Sequence, residues 1–128
     1  MRQLKKMILW KEKFADCLSV EFSNPVYFEA HHLLVTAYML QSDGYSPEYQ
    51  PEALKLLEEF LYFNAAPNHI IIRNRYAGFY GNIENNGERN IDRYNWNLDI
   101  LSVSTQTADI YRQDVRRWAA DVLQVMKT

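Results

Sequence analysis

The chain has 128 residues, of which 48% are hydrophobic and 23% charged; this excludes a disordered tail, a collagen-like chain and a disulfide-stapled miniprotein. Fourteen basic and sixteen acidic side chains give a formal charge of −2 and a pI near 5.9, so no strong positive field recruits nucleic acid or an anionic membrane. A chain of this size buries roughly two thirds of its unfolded surface, and no internal repeat or composition break divides it, so residues 1–128 are expected to form a single domain.

In the first segment Met7, Trp10, Phe14, Cys17 and Leu18 recur at three- and four-residue steps, the stripe of an amphipathic helix, with Lys6, Lys13 and Asp16 off it. Ser23, Asn24 and Pro25 then punctuate the chain, Asn24 as an N-cap and Pro25 as a first helical residue. The helix expected over about 25–41 is almost apolar all round, which makes it central; Asp43-Gly44 ends it. Ser46, Pro47 and Pro51 open a third helix. It turns Ala53, Leu54, Leu57, Phe60 and Leu61 inward and leaves Lys55, Glu58, Glu59 and Tyr62 to water.

Between Asn64 and Asn97 the character changes, with nine Asn and three Gly among 34 residues, a composition suited to turns and left-handed backbone. Residues 68–76 suggest a short helix or strand, and Asn85-Asn86-Gly87 a turn tip able to join a small hairpin. The last helix is the cleanest: Tyr111, Val115, Trp118, Val122 and Met126 form its stripe. Asp114–Arg117 and Arg117–Asp121 pairs support it, and Thr107 or Thr105 caps it near Asp109. The expected fold is all-α, a bundle of about four main helices with an irregular Asn-rich insert at 64–97.

Cys17 is the lone cysteine, so neither an intrachain disulfide nor a CxxC site exists. The apolar run Met7 to Trp10 is too short for a signal peptide, and Leu33 to Leu40 falls far short of the ~20 residues of a membrane span. The expected location is the cytoplasm. No GxSxG elbow, GxxxxGK[ST] loop or GxGxxG turn is present, which removes the commonest hydrolase, NTPase and dinucleotide readings but leaves catalysis in general open.

The second helix carries the most suggestive polar groups. His31, Leu34, Val35, Tyr38 and Gln41 share one face, with Glu29, His32 and Thr36 beside it. Two readings of His31 stand open: a core histidine satisfied by a hydrogen bond, or a metal ligand or general base at the mouth of the bundle. Cys17 and His31 are the weak metal candidates, with His69, Asp99 and Glu29 as remaining ligands, yet HExxH and a repeated Glu-x-x-His are both missing. Cys17 reads more readily as a small buried hydrophobe than as a nucleophile. In the insert, Arg73, Arg75, Tyr76, Phe79, Tyr80, Arg89, Arg93, Tyr94 and Trp96 interleave cations with rings, as a single-strand nucleic-acid surface does. Glu84, Glu88 and Asp92 offset the charge, so nucleic acid is not the expected partner. Arg112, Arg116 and Arg117 read as a solvated face.

The string HHLLVTAYMLQ, His31 to Gln41, resembles a signature of a family of uncharacterised bacterial proteins known only as a domain of unknown function. That signature has a His, a run ending in Asp-Ala-Tyr, then Leu-Gln and a closing His-Pro; His31, Ala37, Tyr38, Leu40 and Gln41 match it. Cys17 with Phe22, the segment Trp96 to Val103, and Trp118-Ala119 are similar to further parts, so the resemblance spans about residues 14–126. Thr36 stands where the signature has Asp, Ser42 where it has His, and no CxxC element precedes. If the family binds a metal through those groups, this chain has lost candidate ligands. The resemblance implies a helical fold and the grouping of His31, Tyr38 and Gln41, and carries no activity.

Two functions are therefore expected to compete. The first is a non-enzymatic binding or interaction domain, working alone or as a homo-oligomer, motivated by 14% aromatic residues. The second is a small enzyme or a ligand- or metal-binding domain with a pocket lined by His31, Tyr38, Gln41 and Trp96, in which His31→Ala abolishes binding while the fold survives.

Overall fold

The structure, a computed structural model, describes residues 2–63 and 84–127. It is all-helical: α1 (Arg2–Ser23), α2 (Pro25–Phe28), α3 (His31–Gln41), α4 (Gln50–Phe63), a 3-10 turn (Ile100–Ser102) and α5 (Ala108–Lys127). Four of these helices are long, and no strand occurs among the described residues. Near Asn85 there is instead an Asx turn, Gly87 N–H to Asn85 Oδ1 at 2.9 Å, and an isolated antiparallel bridge between Tyr45 and Glu84. The element expected over 68–76, and with it His69, Arg73, Arg75, Tyr76, Phe79 and Tyr80, lies outside the described residues.

The nearly all-apolar α3 is central, packed between α4 and α5, with α1 laid across it and against α2 and the 3-10 turn. The inward stripes lie where the spacing puts them: Trp10 and Cys17 from α1, Ala53, Leu57 and Phe60 from α4, and Tyr111, Val115, Trp118 and Val122 from α5 are all buried. Leu56 of α4 joins them. Thr107 caps α5, its Oγ1 accepting from Ile110 N–H at 3.2 Å.

The single helix expected over 25–41 is broken at Glu29–Ala30. The Ala30 N–H turns back to the Tyr27 carbonyl only three residues away (3.2 Å), and Ala30 sits at φ −89°, ψ 2°, outside the helical well. The bend is tethered by the Tyr27 hydroxyl, which donates to the Thr105 carbonyl at 3.1 Å. Thr105 thus serves α2 rather than capping α5. Asp121 likewise leaves Arg117 for the chain before the 3-10 turn, accepting from Asn97 N–H (3.3 Å), Asn97 Nδ2 (3.0 Å) and Leu98 N–H (3.1 Å).

α3 ends in a Schellman motif. Gly44 N–H reaches the Met39 carbonyl (2.7 Å) and Asp43 N–H the Leu40 carbonyl (3.3 Å). Asp43 takes the left-handed position at φ 57°, where glycine is the usual occupant. Its side chain also clasps the neighbouring loop, Oδ2 accepting from Asn90 N–H at 2.9 Å, while its carbonyl accepts from Asn85 Nδ2 at 3.1 Å. A Cβ at Gly44 would meet the end of the Met39 side chain at 2.8 Å, so that flexible thioether would have to move aside.

Candidate functional site

His31 opens α3 beside the far end of α1. Its Nδ1 lies 2.8 Å from Glu21 Oε1, and the other carboxyl oxygen of Glu21 accepts from the Tyr111 hydroxyl on α5. The ring stacks on Phe28 with centroids 4.6 Å apart and is flanked by Phe22. Glu21 is 1% exposed. The Cys17 thiol, one turn earlier on α1, meets the same Tyr111 hydroxyl. Burial pushes that thiol up to about 11, far from the thiolate a nucleophile requires. Burial and the Glu21 carboxyl also hold the Tyr111 hydroxyl well above its ordinary range. Cys17 and His31, the weak metal candidates, therefore border a common cluster. Among the described residues, however, no group of three or more His, Cys, Asp or Glu side chains is arranged to hold a metal ion.

Glu21 was not singled out from sequence, although the signal was present. It continues the stripe Trp10, Phe14, Cys17 at the next four-residue step, placing a carboxyl on an apolar face.

Gln41 is equally committed. Its Nε2 donates to the Leu98 carbonyl at 2.8 Å, and its Oε1 accepts from the Trp118 indole at 2.9 Å. Both ends of the amide are engaged, joining α3 to α5 and to the chain before the 3-10 turn. Trp96 donates to the Ile91 carbonyl at 2.9 Å and lies against Tyr94, partly buried on the core. Of the basic cluster on α5, Arg112 pairs with Glu29 and with Asp109 (2.8 Å), Arg116 donates to the Leu61 carbonyl, and Arg117 lies 3.6 Å from Asp114.

Tyr38 belongs to a different place. It stacks face to face on Phe14 of α1, centroids 4.0 Å apart at 4°, and both rings line a hollow of about 490 Å³ between α1, the end of α3 and the chain at Arg89. Leu4, Met7, Ile8 and Trp10 continue its apolar wall; Ser42 closes the end at the α3 terminus, and Lys11 and Arg89 stand on it as cations. Of the four residues expected to share a pocket, Tyr38 lines this one; His31, Gln41 and Trp96 are not on its wall.

Two buried polar atoms of residues that line this hollow have no hydrogen-bond partner: the Trp10 indole nitrogen and the Ser42 hydroxyl. Both residues are more than nine-tenths buried, and an unpaired buried polar group costs roughly 1–3 kcal/mol. A second hollow of about 560 Å³ lies between the end of α4 and α5, lined by Leu61, Tyr62, Arg116 and Lys127 among others. Its polar groups are engaged, Arg116 by the Leu61 carbonyl and Lys127 by Glu58 at 3.2 Å.

The class defined by these features is an all-α fold with a buried polar seam and a lateral hollow. Residues 11–127 match a family of unknown function, DUF5946, and the chain belongs to that family. Comparisons with curated proteins and with solved structures give no match. No described helix is long and apolar enough to cross a membrane.

Proposed function

We propose that this chain is a non-enzymatic binding domain of the cytoplasm that holds a small molecule in the hollow between α1 and the end of α3. The observation that carries the reading is the pair of unpartnered buried polar groups, Trp10 Nε1 and Ser42 Oγ, in two residues that line a mainly apolar hollow. Small-molecule sites characteristically combine an apolar cleft of about 300–1,000 Å³ with a few polar groups that orient the ligand. The non-enzymatic part is supported by the groups with chemical potential. The Cys17 thiol is buried and protonated, and His31 and Tyr111 are each hydrogen-bonded to Glu21.

The test is a fragment screen followed through the backbone and indole N–H signals of the labelled protein. Binders are expected to move Trp10, Tyr38 and Ser42 together, and Ile8→Trp, which places a bulky ring at the half-exposed rim, is expected to remove them. Fragments that instead gather around His31, or that bind the Ile8→Trp variant as well as the parent, would overturn the reading.

A second reading, self-association or docking of another protein, is favoured by one observation. Phe22, 69% exposed at the corner between α1 and α2, carries a large apolar ring in water. Sedimentation of the parent and of Phe22→Ser decides it: an oligomer in the first and a monomer in the second are expected on that reading.

A further inference from the structure

The near-neutral balance of the whole chain conceals an uneven distribution. Residues 2–13 carry five basic side chains and one acid, which leaves nine bases and fifteen acids for the rest. That stretch is the first half of α1 (Arg2–Ser23), and its apolar residues are divided between two faces. Trp10 is buried, with Met7 and Phe14 packed beside it on the core. Leu4, Ile8 and Leu9 point the other way and are 59%, 51% and 43% exposed, three of the eight large hydrophobics left so among the described residues. Scattered exposed hydrophobics are ordinary, but three within two turns, on the side of a helix that normally carries polar groups, form a patch. Cations are threaded through it. Leu4, Ile8 and Lys11 follow one ridge of the helix, and Lys5 and Leu9 the next. Both lysines are exposed, and neither has an ion pair among the described residues. Lys6 differs, being turned to Asp92 at 3.5 Å and to the Trp10 ring. Glu12 and Asp16, exposed on the next two turns beyond Ile8, bound the patch at its far side.

We propose that this patch docks on the surface of an anionic phospholipid bilayer. Leu4, Ile8 and Leu9 enter the boundary between headgroups and acyl chains, and Lys5 and Lys11 meet the headgroup phosphates. Interfacial helices bind through buried apolar area together with the attraction of basic residues to anionic lipid, and this patch supplies both. Charge complementarity selects the occupant. An apolar protein surface would cover the leucines and leave both ammonium groups idle, whereas lysine stems lie along apolar material while their heads reach a charged layer. The acids at 12 and 16 limit the contact to about 10 Å of helix between residues 4 and 11, so it is shallow and reversible, and the buried face of α1 keeps its place on the core. Leu4, Ile8 and Lys11 also border the hollow, whereas Lys5 and Leu9 do not, so docking can be tested without touching the proposed ligand site.

Co-sedimentation of the full chain, carrying no basic tag, with vesicles at two salt concentrations is the test. Phosphatidylcholine vesicles containing about one third phosphatidylserine are expected to carry down protein that pure phosphatidylcholine leaves in solution, and less of it at high salt. Lys5→Gln is expected to weaken partitioning about fivefold, the factor for one lysine near an anionic surface, and Leu9→Ser about tenfold. Glu12→Gln, which removes the acid bounding the patch, is expected to strengthen it. All three side chains are exposed, so melting temperatures are expected to stay close to the parent's, and fragment binding at the hollow is expected to persist. No binding to the anionic vesicles would overturn the proposal, as would equal binding to both kinds or binding that Lys5→Gln and Leu9→Ser leave intact. Sedimentation without lipid covers the other occupant: an oligomer dissolved by Leu9→Ser would assign the patch to a second copy of the chain and overturn docking on lipid.

Discussion

Two regions of one helix treat polar atoms in opposite ways. At the far end of α1 Glu21 is sealed in the core with each carboxyl oxygen engaged, one by His31 and one by Tyr111. Eleven residues earlier, about 16 Å along the helix at ~1.5 Å per residue, Trp10 is just as buried and its indole nitrogen has no partner. The first arrangement holds three helices together. The second leaves a polar group unsatisfied inside the protein, which calls for an explanation, and the proposed binding site beside it supplies one. The lesson is that a histidine and a glutamate, conspicuous by type, serve the architecture, while the proposed site is marked by a tryptophan and a serine.

That contrast can be broken by substitution. The largest effect is expected at Glu21. Glu21→Ala leaves both His31 and Tyr111 without their partner and is expected to cost about 3 kcal/mol, read as a lower urea midpoint, while fragment binding per folded molecule stays unchanged. Gln41→Leu comes next, at about 2 kcal/mol, because the Trp118 N–H and the Leu98 carbonyl are both left unpaired. If either variant kept full stability but lost ligand, the assignment of the two regions would be reversed.

An alkaline titration sharpens the same point. Cys17 and Tyr111 both have raised folded-state values, so their contribution is whole below the unfolded values and is lost as pH climbs through the folded ones. Stability is expected to fall as pH rises from about 9, the thiol's ordinary value, toward about 11, and Cys17→Ala is expected to flatten part of that decline in pH-dependent melts. The smallest effect is expected at Ser42. Ser42→Ala removes a hydroxyl that bonds nothing in the protein, so the melting temperature should hold or rise slightly, whereas fragment affinity at the hollow should drop.

The helical framework was legible because stripes are local. Tyr111 to Met126 declared α5 through spacing alone, and Asn24-Pro25 marked a helix start that Asn24 does cap, its Oδ1 accepting from Val26 N–H at 3.0 Å. Asp43-Gly44 likewise declared an end. The break at Glu29–Ala30 was hidden, because its tether runs from Tyr27 to a carbonyl 78 residues away. The grouping of His31, Tyr38 and Gln41 on one face was sound as helix geometry. Yet a face does not say what stands opposite each turn: α1 supplies Glu21 to His31 and Phe14 to Tyr38, while α5 supplies Trp118 to Gln41. Trp10 could be read as core, but the hollow beside it requires Arg89, brought there by folding over nearly eighty residues of chain.

Asp43 shows how that distance is kept fixed. Glycine at this left-handed turn would relax the backbone, but it could not grip Asn90. The chain keeps the more strained residue because one atom group then sets two things at once, where α3 stops and where the neighbouring loop lies. Ser42 and Arg89, adjacent to the two ends of that clasp, are consequently a registered pair: a lengthened or shortened loop at 85–90 would shift Arg89 against Ser42 along the hollow.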